Sequence, residues 1–192
     1  MADGAVLARV GPNAAIQTFA AVRVLRGEAA ARDVAAGAGL ADWVDLPPAD
    51  MIPEAAAARI FTAVHAACGG EAPAVMAEAG RRTADYVLAN RIPPPVRAVL
   101  PWLPDALAGR ILLSAIARNA WTFAGSGGVA TGARPFSVEI VANPLAQPGG
   151  CAWHAGVFER LFRVLVHPGA TVRETACCAA GAPACRFEIR LR

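Results

Sequence analysis

The sequence predicts an α+β protein, with a helical N-terminal two-thirds packed on a small antiparallel sheet that ends in a cysteine-bearing hairpin. Three observations predict it. Apolar residues recur at helical spacing through the first 123 residues, broken by Gly and Pro. After residue 134 the period changes to two, most clearly where Phe187, Ile189 and Leu191 alternate with Arg186, Glu188, Arg190 and Arg192. Four of the five cysteines, Cys151, Cys177, Cys178 and Cys185, gather in that later part.

Taken in order, Gly11-Pro12-Asn13 is a helix start, and Ile16, Phe19, Ala20, Val22 and Leu25 form a broad apolar face up to Gly27. A short helix is expected over 28–36. Residues 37–53 are broken by Gly and Pro and read as a loop anchored by Trp43. Pro53 suits the first turn of a helix over 54–68, stopped by Gly69-Gly70. The next helix, over 71–92, ends at Pro93-Pro94-Pro95. A Pro-rich connector over 92–105 leads to a helix over 105–125 whose stripe is Leu107, Ile111, Leu112, Ala115 and Ile116. Then come a glycine-rich turn, a strand over 136–143 and an amphipathic helix over 151–166. Two strands, 170–177 and 185–192, form the hairpin, in which Cys185 shares the inward parity of Phe187. Residues 1–40 are expected as an N-terminal helical segment and 41–192 as the main domain, the two forming one unit.

Composition narrows the function. The chain is 56% hydrophobic and 17% charged, enough for a sizeable core. It has no lysine, and a net charge of +3 from dispersed arginines predicts no nucleic-acid partner. No apolar run is long enough to span a bilayer, and the N-terminus lacks the basic and apolar regions of a secretory leader. A cytoplasmic protein is expected, with peripheral membrane contact left open by the low polarity. In a reducing compartment clustered cysteines point to metal before disulfides.

Cys151 at a helix start, and Cys177 and Cys185 on either side of a turn, can converge at one end of a helix–hairpin layer. Glu174 or His154 supplies a fourth ligand. The competing reading is buried free thiols, the commonest state of cysteine in cores. A glutamate turned inward beside them needs a partner, which weighs on the side of metal.

The pattern Cys151-Ala152-Trp153 followed by Glu174-x2-Cys177-x7-Cys185-x-Phe187 resembles the C-terminal signature of the 4-vinyl reductase domain family. The stretches 10–18, 80–93 and 119–127 resemble its bacteriochlorophyll-biosynthesis branch, the divinyl protochlorophyllide 8-vinyl reductase type. The resemblance implies structural Zn2+ held by Cys151, Glu174, Cys177 and Cys185, with Cys178 and His154 as bystanders. It also implies a protein that binds a protochlorophyllide- or chlorophyllide-type tetrapyrrole, as carrier or accessory to 8-vinyl reduction. The family's other branch, the sensory module of phenol-responsive activators, implies the alternative: a small-molecule sensing and dimerisation module. A homodimer through the N-terminal helices and contacts with other bacteriochlorophyll-pathway enzymes are further expectations.

Catalytic residues are not evident. The glycine-rich stretch 124–135 follows a helix rather than a strand and lacks the nicotinamide fingerprint; it reads as a plain turn. No flavin site is visible either. Asp85-Tyr86, His65 and His167 each read more simply as helix residues. For the ligand, Trp102, Trp121, Phe123 and Phe136 are expected to line an apolar pocket between helices and sheet.

Overall fold

The computed structural model describes residues 8–191. Residues 1–7, which carry most of the leader reading, and Arg192, the last position of the expected final strand, lie outside the described residues.

Helices and a small antiparallel sheet form the fold, and helix dominates. A two-residue strand β1 (Arg9–Val10) pairs antiparallel with β2 (Ile52–Pro53), closing a loop around α1 (Asn13–Arg26) and α2 (Glu28–Gly37). Gly27 separates these helices at φ +91°, a conformation that a Cβ would strain. Next come α3 (Glu54–Cys68), α4 (Ala72–Asn90), α5 (Pro94–Val99) and α6 (Asp105–Arg118). Strands β3 (Gly128–Ala133) and β4 (Phe136–Val141) form a hairpin, followed by α7 (Ala152–Leu165). Strands β5 (Thr171–Ala176) and β6 (Ala184–Arg190) complete a sheet of order β3-β4-β6-β5, antiparallel throughout.

Helix α4 is central, with α1 on one side and α7 on the other, and α7 in turn lies on β5. Two glycines set the α4–α7 distance. A Cβ on Gly80 would run into the Trp153 carbonyl, and one on Gly156 into the Ala77 carbonyl. The close approach lets Phe158, Phe162 and Leu165 of α7 reach Phe187 and Ile140 of the sheet, all fully buried. Val10 and the α1 residues Ala15, Phe19 and Val22 belong to the same continuous core.

Several boundaries differ from expectation for local physical reasons. The Pro-rich connector over 92–105 contains a helix, α5, because Pro94 and Pro95 sit in its first turn, where no backbone N–H is needed. Helix α6 stops at Arg118 rather than continuing to residue 125. Asn119 Nδ2 donates to the Ala115 carbonyl (2.8 Å) and Thr122 Oγ1 to the Asn119 carbonyl (2.7 Å), which satisfies the final turn without another helical one. The glycine-rich stretch expected as a plain turn contains strand β3. Its mostly exposed residues carry no apolar alternation, and pairing with β4 alone makes it a strand. Its approach loop is tied to α3: Ser126 N and Oγ donate to the Glu54 carboxylate at 2.7 and 2.9 Å. A carboxylate thus occupies the loop's donors.

Candidate metal centre

Four local decisions bring the cysteine cluster together. Cys151 is the N-cap of α7, at the positive end of that helix. Glu174 lies on β5, and the ladder shifts register between Glu174 and Ala176. Cys177 leads into a short 3-10 turn (Cys178–Ala180) that Gly181 ends in the left-handed region. Cys185, on β6, points inward with Phe187, both with no exposed surface. Inward parity for Cys185 is the expected one.

The ligand atoms of Cys151, Glu174, Cys177 and Cys185 lie within 4.8 Å of one another. Sulfur–sulfur separations are 3.4 Å for Cys151–Cys185, 3.8 Å for Cys151–Cys177 and 3.9 Å for Cys177–Cys185. A tetrahedral ion with metal–thiolate bonds of about 2.3 Å requires sulfurs about 3.8 Å apart. The sulfur triangle is therefore already of the right size. Glu174 supplies the fourth corner. Its Oε2 accepts the Cys151 N–H at 2.6 Å, while its buried Oε1 has no hydrogen-bond partner. An orphaned carboxylate oxygen beside three thiols is costly in a protein interior and is satisfied by a cation. These four residues could hold a metal ion.

Asn143, which the sequence pattern did not single out, completes the surroundings. The chain leaves β4 through Ala142 at φ +49°, a strained value for a residue with a Cβ. That bend turns buried Asn143 into the cluster. Its Nδ2 donates to Cys185 Sγ at 3.4 Å and Cys151 Sγ at 3.6 Å, while its Oδ1 accepts the Leu145 N–H at 3.0 Å. The Cys178 backbone N–H adds a 3.3 Å donor to Cys185. Donors outside a thiolate set disperse its negative charge.

The electrostatics fit a shared anionic site. Hydrogen bonding to Cys185, then burial and the Glu174 charge, push the Cys151 thiol up. Burial pushes Cys177 up to about 11. Cys185 is drawn down to about 5 by the Cys151 hydrogen bond, with the Cys178 N–H and Asn143 helping against burial. One sulfur thus carries charge readily while its neighbours resist, and a divalent cation relieves all three at once.

The bystanders are as expected. The Cys178 thiol faces the Ile140 carbonyl at 4.0 Å, away from the cluster. His154 is buried among Trp153, Phe123, Phe158 and Phe187, with Nε2 3.2 Å from the Phe123 carbonyl. Burial holds its pKa down to about 4, so it is neutral at physiological pH. Asp85 is in an exposed ion pair with Arg160 at 2.7 Å rather than paired with Tyr86.

The four aromatic residues expected in one pocket are dispersed. Trp102 is 88% exposed and Trp121 57% exposed. Phe123 packs edge-on against Phe158 (5.7 Å), and Phe136 against Phe162 (5.9 Å), with its ring over Gly109 of α6. Instead, a groove of about 570 Å³ opens between α2 and α3, lined by Gly37, Ala58, Arg59, Thr62 and Ala66 among others.

Comparison with known proteins joins these features. Residues 141–191, which contain all four ligand residues, match the 4-vinyl reductase domain. The chain is 45% identical over 192 residues to the bacteriochlorophyll synthase 23 kDa chain of Cereibacter sphaeroides, covering 96% of this chain and 92% of that one. It is 39% identical over 188 residues to the protein of the same name from Rhodobacter capsulatus, covering 94% and 86%. Among solved structures, an H-NOX protein from S. oneidensis in the Fe(II)NO ligation state superposes with a TM-score of 0.60 at 11% identity, over 95% of this chain and 99% of that one. A second H-NOX structure, concerned with heme distortion, gives 0.59 at 12% identity, over 94% and 95%. The fold is therefore H-NOX-like, and the class is that of proteins carrying a 4-vinyl reductase domain. Within it, the chain belongs to the family of the bacteriochlorophyll synthase 23 kDa chain.

Proposed function

We propose that this protein binds a chlorophyllide-type tetrapyrrole and serves bacteriochlorophyll synthesis as a carrier, or as an accessory to 8-vinyl reduction, presenting the pigment to other enzymes of the pathway. The observation that carries this reading is the convergence of two unrelated likenesses. Kinship along the whole chain is to bacteriochlorophyll synthase chains, while the fold along the whole chain is that of H-NOX proteins, whose structures concern heme. Both concern tetrapyrroles.

Within this reading the cysteine cluster is a structural zinc site. Three thiolates and a carboxylate suit zinc, complete its tetrahedron and leave no position for substrate. An iron–sulfur cluster normally takes four thiolates. Held by Cys151, Glu174, Cys177 and Cys185, the ion would pin the start of α7 to the β5–β6 hairpin.

The pigment is assigned to the groove between α2 and α3, whose volume is within the roughly 300–1,000 Å³ of small-molecule sites. Gly37, Ala58 and Ala66 are short enough for a flat ring to approach closely. Arg59, whose Nε is held by the Ala38 carbonyl at 2.9 Å, puts a cation on the wall for a pigment carboxylate. The rival location is the set Trp102, Trp121, Phe123 and Phe136. For all four to line one pocket, Phe123 and Phe136 must leave their core partners.

Titration with protochlorophyllide, followed by visible absorption, tests the reading. A red-shifted, saturable spectrum is expected, weakened at least about tenfold by Arg59→Gln, the scale of one charged hydrogen bond. Weakening by Trp121→Ala alone moves the site to the aromatic set. An unshifted spectrum contradicts pigment binding and favours a module that senses a smaller molecule.

A further inference from the structure

We propose that the face formed by α5, the turn after it and α6 is a docking surface for an anionic lipid bilayer. Val96, Val99, Trp102, Leu107 and Ile111 are 41%, 57%, 88%, 47% and 40% exposed. They make up half of the ten large hydrophobic side chains exposed in the described molecule, within sixteen consecutive residues. The turn packs on both helices, so the patch is continuous, and Leu100 and Leu103 anchor it from below. Trp102 at its tip is the side chain best suited to a membrane–water boundary.

Charge identifies the partner. Residues 91–118 hold four arginines, Arg91, Arg97, Arg110 and Arg118, against one acid, Asp105. Among the described residues none of the four has a carboxylate partner within ion-pair distance, whereas Arg23, Arg26, Arg32, Arg81 and Arg82 on the other helices all do. Apolar side chains with unneutralised arginines around them match the acyl boundary and headgroups of an anionic leaflet. Backbone chemistry agrees. Pro93, Pro94, Pro95, Pro101 and Pro104 carry no N–H, which lowers the cost of placing a non-helical turn where water is scarce. No described helix is long and apolar enough to cross a membrane, so the contact is interfacial.

A second copy is the poorer occupant. A two-fold interface would set this arginine cluster against itself, with one Asp105 per chain to offset it. The surface is also raised at Trp102 rather than concave, unlike a small-molecule site. The proposal stands independently of where, or whether, pigment binds.

Flotation of the full chain with vesicles of phosphatidylcholine, alone or mixed with phosphatidylglycerol, tests it. Binding to the mixed vesicles is expected at least about fivefold above the neutral ones, weakening with added salt, with a blue shift of tryptophan emission. The double variant Val99→Ser, Trp102→Ser should keep its melting temperature, both side chains being exposed, and lose binding at least about fivefold. Arg97→Gln with Arg110→Gln should remove the preference for the anionic vesicles. The proposal is overturned by wild-type protein that does not float, by equal binding to both vesicle types, or by binding that survives the Val99/Trp102 change. A dimer that the same change dissociates, without vesicle binding, overturns it in favour of a second copy.

Discussion

The cysteine cluster and the α5–α6 face are both made from short segments punctuated by glycine or proline, yet they close in opposite ways. At the cluster the chain turns its polar atoms inward and nearly all find partners: Asn143 spans two sulfurs, the Cys178 N–H donates to Cys185, and Glu174 Oε2 takes the first amide of α7. One buried oxygen, Glu174 Oε1, is left over, and it is the feature that asks for a cation. At α5–α6 the backbone needs little, because prolines remove its donors, and the side chains left over are apolar. What each region leaves unsatisfied indicates its partner: an ion within the fold for one, a surface outside it for the other.

The contrast can be broken from its strong end first. Cys185→Ser removes the most buried ligand, and since structural metal binding is itself folding energy, the variant should be recovered largely unfolded or aggregated. Circular dichroism and chelator sensitivity check this, and a native melting curve would count against a staple. Next in size is acid. His154 is held down to about 4 by burial, below its ordinary 6.5, so between those values the unfolded chain binds the proton first. Stability from neutral His154 is complete above about 6.5 and is lost as pH falls toward 4, by up to about 3 kcal/mol. His154→Phe should flatten that part of the pH–stability curve measured by denaturant unfolding; an unchanged slope would show that the ring is not buried neutral.

Asn143→Ala should follow, lowering metal affinity about 10- to 100-fold in chelator competition, the usual cost of losing a hydrogen-bond donor behind a ligand, with the fold retained. Unchanged affinity would leave Asn143 a mere turn residue. Smallest is Trp102→Ser, which should alter denaturant stability by less than about 0.5 kcal/mol because the side chain packs on little. A loss of about 2 kcal/mol or more would mean that the α5–α6 face is ordinary core.

Much of the cluster was legible in the sequence because its geometry is local. Strand parity puts Cys185 with Phe187, helix start puts Cys151 at α7, and a seven-residue turn returns Cys177 to Cys185. Asn143 was not legible, since its role depends on the positive φ of Ala142, for which an alanine gives no signal. Helices α1, α3 and α7 followed from their apolar stripes. Strand β3 escaped because residues 128–133 have no inward–outward pattern, and α5 because three successive prolines read as a stop although they also suit a helix start. The aromatic pocket failed to assemble for a related reason. Side-chain size suggests burial, but Trp121 lies past the true end of α6 and Trp102 in a turn, and position in the backbone decides exposure.

Metal content tests the central claim most directly. Protein purified without added metal, then quantified for bound metals by mass spectrometry alongside its melting temperature, should carry about one zinc per chain, as a closed three-thiolate, one-carboxylate site requires. Full-length protein that is metal-free yet melts at the same temperature before and after zinc is added would contradict it.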